Sequence, residues 1–428
     1  MYIYLAVCLL LMAAAYVFVP KFNKRFTYFA FAFLAALIRI ATVFYLYRNG
    51  TDNFGTDGLL YHEEGIKIAA QLSEGVPFYR IEYSYTWYTV FIGIIYYLTG
   101  VNRYVASFIN IIITFYAAII LLRLAVNQKY GYRNSAFISL SFLYFPNLIL
   151  WTSDTRKEAL LIFLAVSCWY CVQRLILDVE KNKPGIASNL IRVALICLLI
   201  WLCTLVRIYM FIPMALGIIV SILLQYKQNS SYLCIILIMA VLVSSIAIFF
   251  AAVNPLTQDY HAISYPEEPT GNITKDINIK ITTIKSIAAK RNLLISVIKY
   301  MLLPYPGLIE IADIHDNFSL QLLVSADMIF WYLCLAMMVS GILSAIKNHE
   351  GLLLGLLAYT VAYIVINAMI VENVSDTIYR YRSVIVGTSL LFINMGVFKK
   401  MLPYHRKYTN VKTGIIKAKA AGSFSIKN

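Results

Sequence analysis

The run Gly351-Leu-Leu-Leu-Gly-Leu-Leu-Ala-Tyr-Thr-Val-Ala-Tyr-Ile-Val-Ile-Asn-Ala-Met-Ile-Val371 contains no charged residue, and neither does Ser231 to Val253. A helix rises about 1.5 Å per residue, so each run is long enough to cross a hydrocarbon core of about 30 Å. Composition extends this reading to the whole chain. Of 428 residues, 61% are hydrophobic and 13% charged, against about 25% charged in a soluble domain. Too little polar surface remains to coat a water-soluble body. The fold class is an all-α polytopic membrane protein.

Working outward, hydropathy predicts about eleven transmembrane helices, over 2–19, 27–47, 104–125, 135–151, 158–176, 188–205, 208–226, 231–252, 322–344, 351–371 and 383–397. Basic residues set the orientation. With the N-terminus outside, the cytoplasmic connections hold Lys21, Lys24 and Arg25, then Lys129 and Arg133, Lys181 and Lys183, Lys227, and Lys347. A basic cytoplasmic tail, 398–428, follows with Lys399, Lys400, Arg406 and Lys407. Every inside connection is basic, as the positive-inside rule requires. This also accounts for the net charge of +15, and no nucleic-acid partner is implied. Met1 to Val19 lacks the basic leader of a signal peptide, so it reads as a true helix. The seven cysteines all lie inside apolar blocks and read as small buried hydrophobes, including the Cys168/Cys171 pair.

The chain reads as a single transmembrane domain, 1–428, with two long outside loops, 48–103 and 253–321. In the first loop, Gly58 to Leu72 has helical periodicity. Leu59, Ile66, Ala69 and Ala70 fall on one side, and Glu64, Lys67 and Gln71 towards the other. Trp87 to Leu98 is apolar and aromatic but short for a span. Both are expected as amphipathic helices at the membrane surface. The second loop carries a Lys-rich stretch, Lys275 to Arg291, able to attract anionic lipid. There is no convincing internal repeat, which weighs against a transporter.

The first loop holds Asp52, Asp57, His62, Glu63, Glu64 and Glu74. Asp57 and Tyr61 are four apart and share one helix face. A carboxylate just above the membrane can act as general base towards a sugar hydroxyl. Equally, charges in loops are commonly only solvated. Trp151-Thr-Ser-Asp-Thr-Arg-Lys-Glu158 is a short outside turn that presses Asp154, Arg156, Lys157 and Glu158 against the membrane. Charges at that depth are costly unless paired or used. Read structurally, they form an ion-pair cluster that caps a helix start, with Ser153 or Asp154 as N-cap. Arg207, Arg380 and Arg382 sit at the outside ends of helices. There a guanidinium can grip phosphate oxygens in a bidentate way or anchor in the aromatic belt.

Several runs together resemble a known family. They are Asp57-Gly-Leu-Leu-Tyr61 with Ser73-Glu-Gly-Val-Pro77, the aromatic stretch Tyr85 to Gly100, Pro146 to Glu158, and Arg380-Tyr-Arg382 before the last helix. Their order and topological side resemble the GT-C fold integral membrane glycosyltransferases, in particular the bacterial polyprenyl-phosphate-sugar-dependent protein-mannosyltransferase and aminoarabinose-transferase-like enzymes. The likeness spans roughly 57–160 and 375–397. It implies a lipid-linked sugar donor attacked by a glycan, lipid or protein acceptor hydroxyl at the outer face of the cell membrane, with membrane lipid as a further partner. The loop carboxylate would be the base, carried to Asp57. Many members have adjacent acidic residues where Asp52 and Asp57 stand five apart, so the base is left among Asp57, Asp52 and Glu63. Tyr61, His62, Arg156, Lys157, Glu158, Arg207, Arg380 and Arg382 would hold substrate, the cations taking the leaving phosphate. No organic cofactor is implied, and a divalent metal is left open.

Two other readings remain. An O-antigen-type polysaccharide polymerase or ligase also uses outside arginines and needs no loop base. A lipid-linked sugar flippase or transporter would need charges midway along its helices, and Arg39 is the clearest of few.

Overall fold

The computed structural model describes residues 2–48, 57–83, 86–128, 130–180, 186–226, 293–304, 318–370 and 375–398. Among them there is no strand. Fourteen α-helices follow in order: α1 (Tyr2–Ala14), α2 (Arg25–Arg48), α3 (Asp57–Ser73), α4 (Trp87–Thr99), α5 (Arg103–Asn127), α6 (Tyr132–Tyr144), α7 (Pro146–Ser153), α8 (Glu158–Glu180), α9 (Ile186–Val206), α10 (Phe211–Tyr226), α11 (Leu293–Leu302), α12 (Phe318–Lys347), α13 (Gly351–Ile370) and α14 (Ser375–Phe398).

Among the described residues, seven stretches are helical, long and apolar enough to cross a membrane: Arg25–Arg48, Arg103–Asn127, Glu158–Asp178, Ser188–Val206, Ile208–Gln225, Gln321–Lys347 and Gly351–Met369. The bent pair α6–α7 makes an eighth if it is one span. The chain is thus an all-α protein built to sit in a membrane. The expected span 2–19 is a shorter helix, α1, continued by a 3-10 turn over Ala15–Phe18. The expected span 383–397 lies within α14, whose first turns are polar. Span 231–252, most of the 253–321 loop with its Lys-rich stretch, and the tail from 399 lie outside the described residues.

α5 is the most enclosed span, packed by α1, α2, α6 and α8. α12 is the least enclosed and presents Leu322, Ile329, Leu333, Val339 and Leu343 outward, as a lipid-facing helix would. α10 and α13 cross at glycine. A Cβ on Gly355 would meet Ser221 Oγ at 1.7 Å and Gly217 O at 2.4 Å. Small residues let membrane helices approach this closely, where van der Waals contact replaces the hydrophobic effect.

The two helices expected within 57–99 form and pack on each other, but the buried face of α3 differs from the sequence reading. It comprises Gly58, Tyr61, Gly65, Ile68 and Ala69, with Glu64 among them, while Ile66 and Ala70 are exposed. The spacing 58, 61, 65, 68 follows one helical stripe. Glu64 tolerates its place because Lys67 pairs with it at 2.5 Å.

The expected single helix over 135–151 is broken. α6 and α7 meet at 57°. Phe145 is extended (φ −66°, ψ 119°), and Pro146 opens α7. The proline ring pushes the preceding residue out of helical geometry, and the proline lacks an N–H to donate. The break aims α7 at the turn that carries the site.

Candidate functional site

α7 ends at Ser153 and α8 starts at Glu158, so residues 154–157 make a tight connection. Asp154 is its internal tie. Its carboxylate accepts from Thr155 N (2.6 Å), Tyr47 OH (3.0 Å), Arg103 Nη2 (3.3 Å) and Arg156 Nε (3.0 Å). Its carbonyl accepts from Arg156 N at 2.8 Å. Asn110, buried in α5, donates to the carbonyls of both Asp154 (2.6 Å) and Arg156 (2.9 Å). Asp154 therefore does not N-cap α8, which begins only at Glu158; it closes α7 as its C-terminal cap residue and is the fixed point of the turn. A Cβ on Gly58 would stand 2.4 Å from Asp154 Oδ2, so only glycine lets the start of α3 come this close.

Around that turn a second set of charges converges from distant parts of the chain. Glu158 Oε1 accepts from Arg207 Nη2 and Arg380 Nε, each at 2.6 Å. Arg380 Nη1 donates to Asp57 Oδ2 at 2.5 Å. One guanidinium thus bridges the surface helix α3 and the spanning helix α8. Arg207 also donates to Tyr209 OH (3.1 Å) and Tyr363 OH (3.3 Å), and it lies 3.9 Å from the Tyr381 ring. Lys157 Nζ lies 5.6 Å from the Tyr61 ring and makes no hydrogen bond or ion pair among the described residues. Glu158 Oε2 and Arg380 Nη2 are buried and likewise unpartnered.

Five cations (Arg103, Arg156, Lys157, Arg207, Arg380) face three carboxylates (Asp57, Asp154, Glu158). The excess of positive charge makes this a place where an anion would be stabilised. Burial works to raise the Asp57 carboxyl, but Arg380 and Lys157 outweigh it and hold it at about 2. Burial pushes the Lys157 ammonium down to about 7, helped by Arg207 and Arg380.

The structure therefore brings Asp57, Tyr61, Arg156, Lys157, Glu158, Arg207 and Arg380 together. It leaves others apart. Arg382 lies two residues from Arg380 but turns away. It donates to the carbonyls of Tyr300 (2.8 Å) and Leu303 at the end of α11, and its guanidinium sits over Trp331. His62 bonds Tyr96 OH at 2.8 Å, one side removed from the pair of Asp57 and Arg380. Glu63 is exposed, and Asp52 lies outside the described residues. Among those residues, no group of three or more His, Cys, Asp or Glu stands close enough to hold a metal ion.

Sequence reading did not select Tyr47, Arg103 or Asn110 for the site, nor the tyrosines around Arg207. Asn110 carried a usable signal, being an amide in the middle of an apolar span, where an unsatisfied polar group is costly.

The chain matches no family model, no curated protein and no solved structure.

Proposed function

We propose that the chain is a membrane glycosyltransferase that moves a sugar from a polyprenyl-phosphate donor to an acceptor hydroxyl, working at the outer face of the cell membrane in the assembly of a surface glycan, glycolipid or glycoprotein. The observation that carries this reading is the Asp57–Arg380–Glu158–Arg207 chain with the buried Lys157 beside it. The GT-C resemblance supports it, as does the basic-residue pattern of the sequence, from which about eleven spans are expected with the N-terminus outside and the tail inside.

In the reaction, the acceptor oxygen forms a bond to the anomeric carbon. The bond from that carbon to the phosphate oxygen breaks, and its electron pair leaves with the phosphate. Arg380, Arg207 and Lys157 stabilise that charge as it develops, and pre-set dipoles and cations are worth most where water is excluded. The acceptor proton passes to Asp57. Paired with Arg380, Asp57 is a weak base. A donor phosphate that engages Arg380 loosens the pair and raises the proton affinity of Asp57, so donor binding and activation of the base are linked.

A second reading is favoured by the same ion pair. If Asp57 stays locked to Arg380, the arginines alone could serve a polymerase or ligase that uses lipid-diphosphate donors. A flippase fits less well. Among the described residues, Arg39 and Arg382, buried away from the turn, donate to backbone carbonyls, and Asp327 accepts from a backbone amide.

The test is donor binding and transfer by the full chain in lipid nanodiscs, against a panel of labelled polyprenyl-phosphate sugars. The proposal expects at least one donor to bind, with release of polyprenyl phosphate in step with product. It also expects Arg380→Ala to weaken donor binding about tenfold or more, the scale of one charge-assisted contact. Wild-type protein that binds no donor better than unrelated membrane protein would overturn it.

A further inference from the structure

The break between α6 and α7 is held open by two charged residues that lie outside the site. A broken helix inside a membrane leaves carbonyls at the end of its first half and amides at the start of its second without helical partners, and no water is there to serve them. Here each side is met by a buried side chain, a guanidinium donor for the carbonyl and a carboxyl acceptor for the amide. On the carbonyl side, Arg39 of α2 donates to Leu143 O, the last turn of α6. Arg39 is 1% exposed and also reaches Thr152 Oγ1 of α7 at 3.5 Å. On the amide side, Asp327 of α12 accepts from Asn147 N, the second residue of α7, at 2.8 Å. It too is 1% exposed. A donor at the end of one half-helix and an acceptor at the start of the next each satisfy a backbone group that the break leaves open. Asn147 adds a third tie, donating from its side chain to Tyr379 O at the start of α14 (2.7 Å), one residue before Arg380.

α7 has only eight residues, about 12 Å of helix. Its direction therefore passes straight into the Asp154–Glu158 turn. We propose that Arg39 and Asp327 are positioning residues. Together they clamp the two half-helix ends at Phe145, and so they set where Asp154, Lys157 and Glu158 stand relative to Arg380. Neither touches the charged cluster itself. A residue that served only the bundle would stabilise every helix it packs on. This clamp acts on one short segment, and the inference depends on the reading of the turn as a site only for its functional meaning.

The test reads local structure, not transfer, so it can fail independently of the glycosyltransferase reading. Backbone hydrogen–deuterium exchange would be measured on the full chain in nanodiscs for wild type, Asp327→Leu, Asp327→Asn, Arg39→Met and Arg39→Lys. Asp327→Asn keeps an acceptor for Asn147 N, and Arg39→Lys keeps a cation for Leu143 O. The proposal expects peptides covering 145–158 to exchange at least tenfold faster in the Leu and Met variants. Protection should be substantially restored in the Asn and Lys variants, with peptides from 103–127 and 351–370 unchanged throughout. If the Leu and Met variants do not fold, Asp327→Asn and Arg39→Lys decide alone, and exchange raised two- to threefold over 145–158 only supports the clamp. Unchanged exchange over 145–158 in every variant that folds, or exchange raised evenly along the chain, overturns it.

Discussion

Lys157 is the residue where burial and neighbouring charge have the most visible consequence. Its ammonium is held at about 7 by burial and by Arg207 and Arg380. Below that value the group is charged in the empty site, and above it the group is neutral. A bound anion brings the proton back, so above pH 7 binding takes up a proton. Affinity for a polyprenyl phosphate should therefore fall by up to about tenfold per pH unit between 7 and 9, and the slope should vanish in Lys157→Gln. Calorimetry in two buffers of different ionisation enthalpy measures the proton directly. The same shift bears on stability. The unfolded chain holds this proton up to about 10.5 while the folded one releases it near 7, so the fold gains stability as pH rises through that interval. Asp57 works in the opposite sense. Its value lies below the usual 3.8, so its contribution is present above that pH and is lost as pH falls towards 2. Gly58 is a second test at this scale. Gly58→Ala would push a methyl group into the Asp154 carboxylate and lift the start of α3. We expect donor binding to weaken at least fivefold, with a loss of stability in the range of about 1–3 kcal/mol usual for overpacking.

Among the elements, α10 and α13 offer the cleanest test of packing. Their contact at Gly217 and Gly355 leaves no room for a side chain. Overpacked positions typically lose about 1–3 kcal/mol, and Gly355→Val should fall in or above that range in denaturant unfolding in mild detergent. Gly75→Ala, at a turn with φ +80° and open space around it, should cost only backbone strain of about 1 kcal/mol. The elements also show what could be read in advance. The charge-free run of α13 and the presence of helices α3 and α4 were legible because hydrophobic period and length are local properties, but the face that α3 buries was not, since its glycines and Glu64 turn inward only against α4 and the 154–158 turn. The break at Phe145 had a local sign too, Pro146 in the middle of an apolar run. Its depth was not legible, because Arg39 and Asp327, which make it tolerable, are more than a hundred residues away in sequence on either side.

At the scale of the whole molecule, the site joins residues 57, 154–158, 207 and 380, and no local pattern links these four places. The sequence singled each of them out because a charge beside an apolar run is conspicuous. It could not tell Arg380 from Arg382. The two share a motif, yet consecutive side chains on a helix diverge by about 100° each, and a two-residue step sends Arg382 to the carbonyls of α11. Nor could it show that Asp57 meets Arg380, since that contact depends on how α3 folds back over the bundle. The proposed activity needs that closure, with the surface helix delivering a carboxylate to cations held by the spanning helices. The measurement that tests this most directly is sugar transfer by Asp57→Asn beside wild type, with donor binding measured on both. Asp57 competes with a donor phosphate for Arg380. The account therefore predicts that Asp57→Asn binds donor at least as well as wild type and transfers at least about a hundredfold more slowly, the scale of a lost general base. Transfer at the wild-type rate would contradict it and leave the arginines, without a loop base, as the catalytic machinery.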